Sequence, residues 1–416
     1  MAGTTAPALH RNPAYLRLWV SSTLSSLGTF ASLVSLPLLV LASSGSPVGV
    51  GLVGFAGASC MLLALPWAGL LVDRVGWRTV MVRADLVRGI AFGVLTYTVM
   101  TDRVGLAGIL AVSAVNSALG VPFASAAATA LRAAVPARQR SAALSVNQGR
   151  AAVVTILGPL AGAVLYDVSP ALPFAVDALS FFASAALIAT LPAATAGPTG
   201  RPAARWTDIT AGWRFLRGHP FLRYMTLNIV VADFGINGVI VVLVVGASLS
   251  GDALGTGLIT ACTGAGNLLG SALTLPAVRR LRPRTLILAA TWSGALAVVA
   301  IAVTDGVLAS ALLAGCFCIA TPVVGVLTNK ALLDDVPQDI LGRVQSVFQT
   351  VPRLVAATGP VAAGLLLAVL PARGVVLLFA VPLVALALFS TLTRASRWGL
   401  GDAARPPSAA PDRGAS

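Results

Sequence analysis

The chain has 416 residues, of which 57% are hydrophobic and only 10% are charged, and its mean hydropathy is +0.90. Soluble globular domains carry about 25% charged residues, so a soluble protein is excluded. Apolar runs of about 20 residues recur along the chain, and each is long enough to cross about 30 Å of hydrocarbon as a helix. The sequence therefore predicts an all-α membrane protein, because a β-barrel would show short alternating segments instead.

Twelve transmembrane helices are predicted, in two groups of six. A polar tail, 1–13, precedes a first half, 14–192, with spans near 14–42, 49–72, 79–100, 106–130, 142–165 and 172–192. A proline- and arginine-containing linker, 193–221, leads to a second half, 222–395. Its spans lie near 222–247, 253–277, 285–304, 307–328, 344–369 and 374–393. The remaining tail, 396–416, is rich in alanine and proline, and we expect it to be disordered.

A charged turn separates the second and third spans. It runs from Gly69 to Arg78 and contains Asp73 and Arg74, which are tolerated at the water boundary but costly inside the membrane. We expect Gly69 to allow close helix approach and Gly76 to supply the positive φ that a tight turn can require.

The pattern Gly-x-x-x-Asp-Arg-x-Gly-x-Arg in this turn resembles the loop signature of the major facilitator superfamily. The usual form has two basic residues after the second glycine, whereas here Trp77 takes the first of these places. The resemblance implies a transporter of two six-helix halves. It also implies that the turn acts as a conformational latch, in which Asp73 faces the eleventh span, through the residues Gly69, Asp73, Arg74, Gly76 and Arg78. The alternative is a turn that only marks one side of the membrane.

Several charged residues inside predicted spans are further candidates, because ionisable side chains are rare there. Asp85 and Arg88 are three residues apart on one face of the third span, which favours an ion pair over a proton relay at Asp85. Asp177 lies in the sixth span, in a phrase that resembles the same region of exporters, with packing against the outer loop as the alternative. Arg150 and Arg353 lie one to two turns from span ends, so their side chains can also reach the surface.

The fifth span carries a glycine–proline motif, Gly158-Pro159-x-x-Gly162. Proline removes a helix hydrogen bond, and glycine admits a neighbouring backbone. The motif resembles the signature of the antiporter branch of the superfamily, although Val154 and Ala163 replace two of its glycines. A kinked packing helix is the alternative, and the two interpretations are compatible.

The two halves repeat at an offset of 201 residues. Ser145-Val146-x-Gln148 recurs as Ser346-Val347-x-Gln349, and Gly158-Pro159 recurs as Gly359-Pro360. The fifth and eleventh spans are therefore equivalent. Parallel six-helix halves related by an axis along the membrane normal are the arrangement found in this superfamily.

Asp233 is the acid that the sequence places deepest in the membrane, about a dozen residues into the seventh span. Asn228 and Asn237 flank it. Burial favours the neutral form of a carboxyl group, so Asp233 is the first candidate for proton coupling and Asp85 is the second. The alternative is a structural aspartate that its polar neighbours satisfy.

The basic residues indicate topology. Outside the spans they fall in alternate loops and tails, and only Arg103 and Arg373 fall in the other set. This distribution predicts a plasma (inner) membrane protein with both termini in the cytoplasm, and it argues against nucleic-acid binding.

The sequence contains no phosphate-binding loop, no metal-ligand spacing and no catalytic set of residues, so we expect neither an enzyme nor a cofactor or metal. The function expected from the resemblance is proton-coupled efflux of a small apolar or cationic compound, such as a drug, siderophore or secondary metabolite. The expected partners are that small molecule, protons and the lipid bilayer, and the expected state is a monomer. The alternatives are an uptake permease for a nutrient and a lipid-handling membrane protein.

Overall fold

The computed structural model describes residues 9–192, 213–337 and 340–392, and all of its long elements are α-helices. The predicted all-α architecture is confirmed. The first six long helices are α1 Pro13–Ser44, α2 Pro47–Val75, α3 Trp77–Met100, α4 Leu106–Ala134, α5 Arg140–Val168 and α6 Leu172–Ala189. The next six are α7 Pro220–Leu249, α8 Ala253–Arg280, α9 Pro283–Val303, α10 Val307–Asp335, α11 Leu341–Leu367 and α12 Ala372–Leu392. Most of the predicted linker and the final tail lie outside the described residues.

Local sequence signals set the helix ends. The Asn12 side chain accepts hydrogen bonds from the first backbone N–H groups of α1, and Asp252 does the same for α8 at 2.6 Å. Proline occupies the first position of α1, α2, α7 and α9, where its missing N–H costs no helix hydrogen bond. Gly76 ends α2 with φ +85°, the positive value expected of this turn.

Eleven helices within the described residues are long and apolar enough to cross a membrane. The twelfth, α3, has a suitable length of 24 residues, but it carries Arg78, Arg83, Asp85 and Arg88. Asp85 and Arg88 are buried within the protein, so the helix does not present them to lipid. This explains how a helix of lower hydropathy takes its place in the bundle.

The helices pack in the same way in both halves. In the first half, α1 packs on α5 and α6, α2 on α4, and α3 on α4 and α6. In the second half, α7 packs on α11 and α12, α8 on α10, and α9 on α10 and α12. The sequence repeat therefore corresponds to a repeat of helix packing.

The halves meet mainly through α2 against α11 and α5 against α8. A β-carbon at Gly257 would lie 2.8 Å from Cβ of Ala163, and one at Gly364 would lie 2.7 Å from the Pro47 carbonyl oxygen. Both contacts lie on the side of the helix bundle that is away from the first residue of α1 and the last residue of α12. We call the side with those chain ends the terminal face and the other side the opposite face.

The buried hydrophobic clusters show which face is closed. Near the opposite face, Val245 of the second half packs among first-half residues such as Leu36 and Val40. Near the terminal face, the clusters around Trp77 and around Leu222 each contain described residues from one half only. Among the described residues, buried hydrophobic clusters therefore join the halves at the opposite face and do not join them at the terminal face.

Candidate functional site

The charged turn joins α2 to α3 at the terminal face. Asp73 and Arg74 are exposed, whereas Arg78 donates a hydrogen bond to the Ala189 carbonyl oxygen at the end of α6. Trp77 replaces a basic residue of the usual signature because it is part of the hydrophobic core, with only 4% of its surface exposed. The expected close approach at Gly69 is wrong for this state, since no described atom lies within 4 Å of a β-carbon built there.

The glycine–proline motif of α5 forms a packing surface for two helices. A β-carbon at Gly158 would lie 2.5 Å from Cβ of Phe30, and one at Gly162 would lie 2.6 Å from Cα of Ala31, both on α1. On the other side, the Pro159 carbonyl oxygen would lie 2.9 Å from a β-carbon at Gly257 of α8. The motif thus brings α5 close to α1 in its own half and to α8 in the second half.

Two embedded charges, Asp85 and Arg88, come together in the interior of the first half. Arg88 Nη1 lies 3.4 Å from Asp85 Oδ1, so the structure contains the ion pair expected from their spacing. Arg88 also donates to Asn116 Oδ1 at 2.8 Å and to Thr29 Oγ1 at 3.0 Å. Its guanidinium carbon lies 4.0 Å from the ring centre of Phe181, a cation–π contact.

Asp177 joins this group, which the sequence analysis did not anticipate. The Ser32 hydroxyl lies 2.5 Å from Asp177 Oδ2, and the charges of Arg88 and Asp85 both act on the Asp177 carboxyl group. The depths of these residues along their helices could have predicted that Asp177 lies near Arg88. Arg88 lies eleven residues after the start of α3 at 77, and Asp177 lies twelve residues before the end of α6 at 189. We call Asp85, Arg88, Asn116 and Asp177 the first-half cluster.

The two remaining arginines have different surroundings. Arg150 is half-buried on α5 and donates to Ser26 Oγ of α1 at 3.3 Å. Arg353 is exposed on α11, and its charge acts on Asp233. Arg353 shares its exposed face of α11 with the polar residues Ser346, Gln349 and Thr350.

Asp233 lines a cavity of about 200 Å³ in the second half. The cavity lies among α7, α9, α10 and α12, and most of its lining is apolar, including Phe317 and Leu383. Asn228 also lines it and is 3% exposed. Asn237 instead points elsewhere, because it is exposed and donates to the Asp233 backbone oxygen at 2.7 Å.

The cavity and the first-half cluster occupy equivalent places in the two halves. The cluster draws on α1, α3, α4 and α6, and the cavity on α7, α9, α10 and α12. Counted from the first residue of each helix, Asp85 and Arg88 of α3 correspond to Thr291 and Gly294 of α9, which line the cavity. The second half therefore has a space and a carboxyl group where the first half has an arginine.

Comparisons with known proteins agree with this architecture. Residues 18–356 match the model of the Major Facilitator Superfamily, whereas no curated protein matches significantly. The nucleoside transporter NupG superposes with a TM-score of 0.71 at 16% identity, over 92% of this chain and 98% of NupG, and a point mutant of NupG reaches 0.73 at 14%. A bacterial homologue of the human lysosomal transporter Spinster, inward-facing and occupied, gives 0.71 at 14% identity, over 97% of this chain and 100% of that one.

At these identities the structural likenesses show the fold alone, but the family match extends over most of the chain. With two equivalent six-helix halves and a cavity bearing a carboxyl group, the chain belongs to the Major Facilitator Superfamily, a family of membrane transporters.

Proposed function

We propose that this protein is a secondary active transporter of the plasma membrane that exports a small apolar or cationic compound in exchange for protons. The observation that carries the proposal is Asp233 at an apolar cavity in the second half. A carboxylate in such surroundings attracts a cation strongly, and it loses that attraction when it binds a proton. One group can thus bind either the proton or the compound.

The first half indicates what kind of group fits the cavity. There, the equivalent space holds the Arg88 guanidinium against a carboxylate, an amide oxygen and an aromatic ring. In the second half, Asp233, the side-chain amide of Asn228 and the ring of Phe317 line the space. An organic cation with a small charged head and an apolar body matches this set of groups. The cavity is smaller than most drug sites, so it suits the head of the compound and not its whole body.

The observed packing supports loading from the terminal face, because the described hydrophobic clusters join the halves at the opposite face only. The arginine-rich loops of the terminal face favour the cytoplasm as its location. A compound would then reach Asp233 from the cytoplasm. Rocking of the halves would expose Asp233 to the outside, where a proton displaces the compound.

Arg353 gives this exchange an internal competitor. It lies on the exposed face of α11, and its charge acts on Asp233 when no compound is bound. A bound cation would compete with Arg353, which forms no salt bridge with Asp233 in this structure. The positive charge of Arg353 lowers the cost of a carboxylate at this depth when no compound is bound.

The test is transport into inverted membrane vesicles, energised by a proton gradient, with a panel of organic cations, neutral drugs and nucleosides. We expect uphill uptake of at least one organic cation by the wild type. Asp233→Asn should abolish uphill uptake and leave downhill exchange or binding partly intact. Asp305→Asn is the control, because Asp305 pairs with Arg373 on the exposed surface of the opposite face and should transport normally.

Uphill accumulation by Asp233→Asn would mean that the coupling carboxyl group lies elsewhere, with Asp85 as the next candidate. Uptake in right-side-out vesicles would instead favour a permease, and nucleosides are included in the panel because the structurally similar NupG is a nucleoside transporter. An altered membrane lipid composition after gene deletion, without loss of drug resistance, would favour a lipid-handling protein.

A further inference from the structure

The first-half cluster is separate from the cavity at Asp233 and is enclosed more completely. Asp85 and Asp177 have none of their surface exposed, and Arg88 has 4% exposed. The neighbours that helices α1, α4 and α6 supply are uncharged: Thr29 and Ser32, Asn116, and Ser180. Arg88 is the one cation that acts on either carboxyl group among the residues the structure describes.

The charges of this cluster do not balance when both acids are ionised. Two carboxylates and one guanidinium would leave a net negative charge in an interior formed by Phe92, Phe123 and Phe181. Burying an unpaired charge is strongly unfavourable, and two carboxyl groups that share one site do not both ionise. The balance is restored when one of the two acids binds a proton.

The contacts indicate which acid this is. Asp85 lies directly beside Arg88, at 3.4 Å, and is its counter-ion. Asp177 makes no hydrogen bond to Arg88, but its Oδ2 lies 2.5 Å from the Ser32 hydroxyl. A hydroxyl can accept a hydrogen bond from a neutral carboxyl group as well as donate one to a carboxylate. We propose that Asp177 carries a bound proton at neutral pH, so that the first-half cluster is a second proton-binding site, distinct from Asp233.

This site connects the proton to α1, a first-half helix that also contacts the second half. Asp177 on α6 contacts Ser32 on α1, and α1 packs on α5 of its own half and touches α7 of the second half. Loss of the proton would leave an unpaired charge, so release requires α1 and α6 to separate and admit water. The proton on Asp177 therefore favours the packed arrangement of α1 seen here. This inference does not depend on the transported compound or on Asp233.

Infrared spectroscopy of the purified protein in an ester-free maltoside detergent tests it, because a neutral carboxyl group gives a C=O stretching band that a carboxylate lacks and that the detergent does not obscure. The Asp233→Asn protein provides the background, since it removes any band from Asp233. We expect a neutral-carboxyl band at neutral pH in this protein. The band should be lost on adding Asp177→Asn and retained on adding Asp305→Asn.

Two more variants separate charge balance from mere burial. Asp85→Asn should remove the band although Asp177 remains, because Arg88 then has one acid as its partner and ionises it. Arg88→Gln should roughly double the band, because neither acid then has a counter-ion. Persistence of the band after Asp177→Asn would overturn the proposal. The wild-type spectrum can be measured whether or not the variants fold. The absence of any neutral-carboxyl band in that spectrum would overturn the proposal by itself.

Discussion

Gly28 shows how closely the first-half cluster fits its helices. A β-carbon at this position of α1 would overlap the Asp177 carboxyl group and lie 2.7 Å from Ser180 Oγ. The absence of a side chain at Gly28 therefore leaves the space that Asp177 occupies.

We predict that Gly28→Ala destabilises the protein by about 1–3 kcal/mol, the usual cost of overpacking, and lowers transport because Asp177 is displaced. Thermal unfolding in detergent and vesicle transport measure the two effects. Gly93→Ala is the matched control, because no described atom lies within 4 Å of a β-carbon there. Equal unfolding temperatures for Gly28→Ala and Gly93→Ala would show that Asp177 does not need this space.

Asp73 belongs to the proposed latch. Asp73→Asn removes the charge and preserves the shape, so we expect normal expression and a several-fold fall in transport. In the proposed latch Asp73 faces the N-terminus of α11, where a negative charge is stabilising by about 0.3–1 kcal/mol. The substitution removes this support for the outward-facing state. Initial rates in vesicles, normalised to protein amount, provide the measurement. Wild-type transport rates for Asp73→Asn would mean that the turn only sets the membrane topology.

At the residue scale, sequence reasoning succeeded where partners are close along the chain. The spacing of Asp85 and Arg88 is enough to predict their ion pair. The contact between Asp177 and Ser32 depends on how α6 packs on α1, which no local pattern encodes. The same limit explains Gly69, since a glycine permits close approach but does not determine whether a neighbour is present in a given state.

At the scale of single helices, α5 links the two halves. The Gly162 position contacts the α1 backbone, and the Pro159 carbonyl oxygen lies against Gly257 of α8. Backbone atoms cannot move aside as a flexible side chain can, so the fit here is strict.

We predict that Gly162→Ala separates α1 from α5, costs about 1–3 kcal/mol of stability and slows transport. Gly149→Ala on the same helix is the control, since nothing among the described residues lies within 4 Å of its β-carbon. The measurement is the unfolding temperature of each variant, which should be lower for Gly162→Ala than for Gly149→Ala. A Gly162→Ala protein as stable as the control would mean that α1 adjusts without cost and that the motif does not fix this contact.

Helices were predictable because long apolar runs and their caps are local features. The structure gives α5 as Arg140–Val168 where the apolar run predicted 142–165. The cavity at Asp233 was not predictable in this way. The cavity depends on Gly294 occupying the position that Arg88 has in the first half. This correspondence appears only when α3 and α9 are aligned from their first residues.

At the scale of the whole molecule, the terminal face is predicted to lie in the cytoplasm. In cells whose native cysteines have been replaced, a membrane-impermeant thiol reagent should label Asp102→Cys from outside and should not label Arg280→Cys. The physical reason is that arginine-rich loops remain on the cytoplasmic side during insertion. Both positions are exposed in the structure, so accessibility within the protein does not limit the test. Labelling of Arg280→Cys from outside would invert the topology.

The central claim is that the two halves rock about Asp233 and that a proton biases this motion. Spin labels at Arg138→Cys and Arg282→Cys report on the distance between the halves at the terminal face, and labels at Asp102→Cys and Asp305→Cys report on the opposite face. Distances measured by pulsed electron paramagnetic resonance in nanodiscs, at mildly acidic and mildly alkaline pH, test the claim most directly. We expect the two distances to change in opposite directions with pH, and we expect Asp233→Asn to reduce the change. Two distances that stay fixed, or that lengthen together, would contradict it.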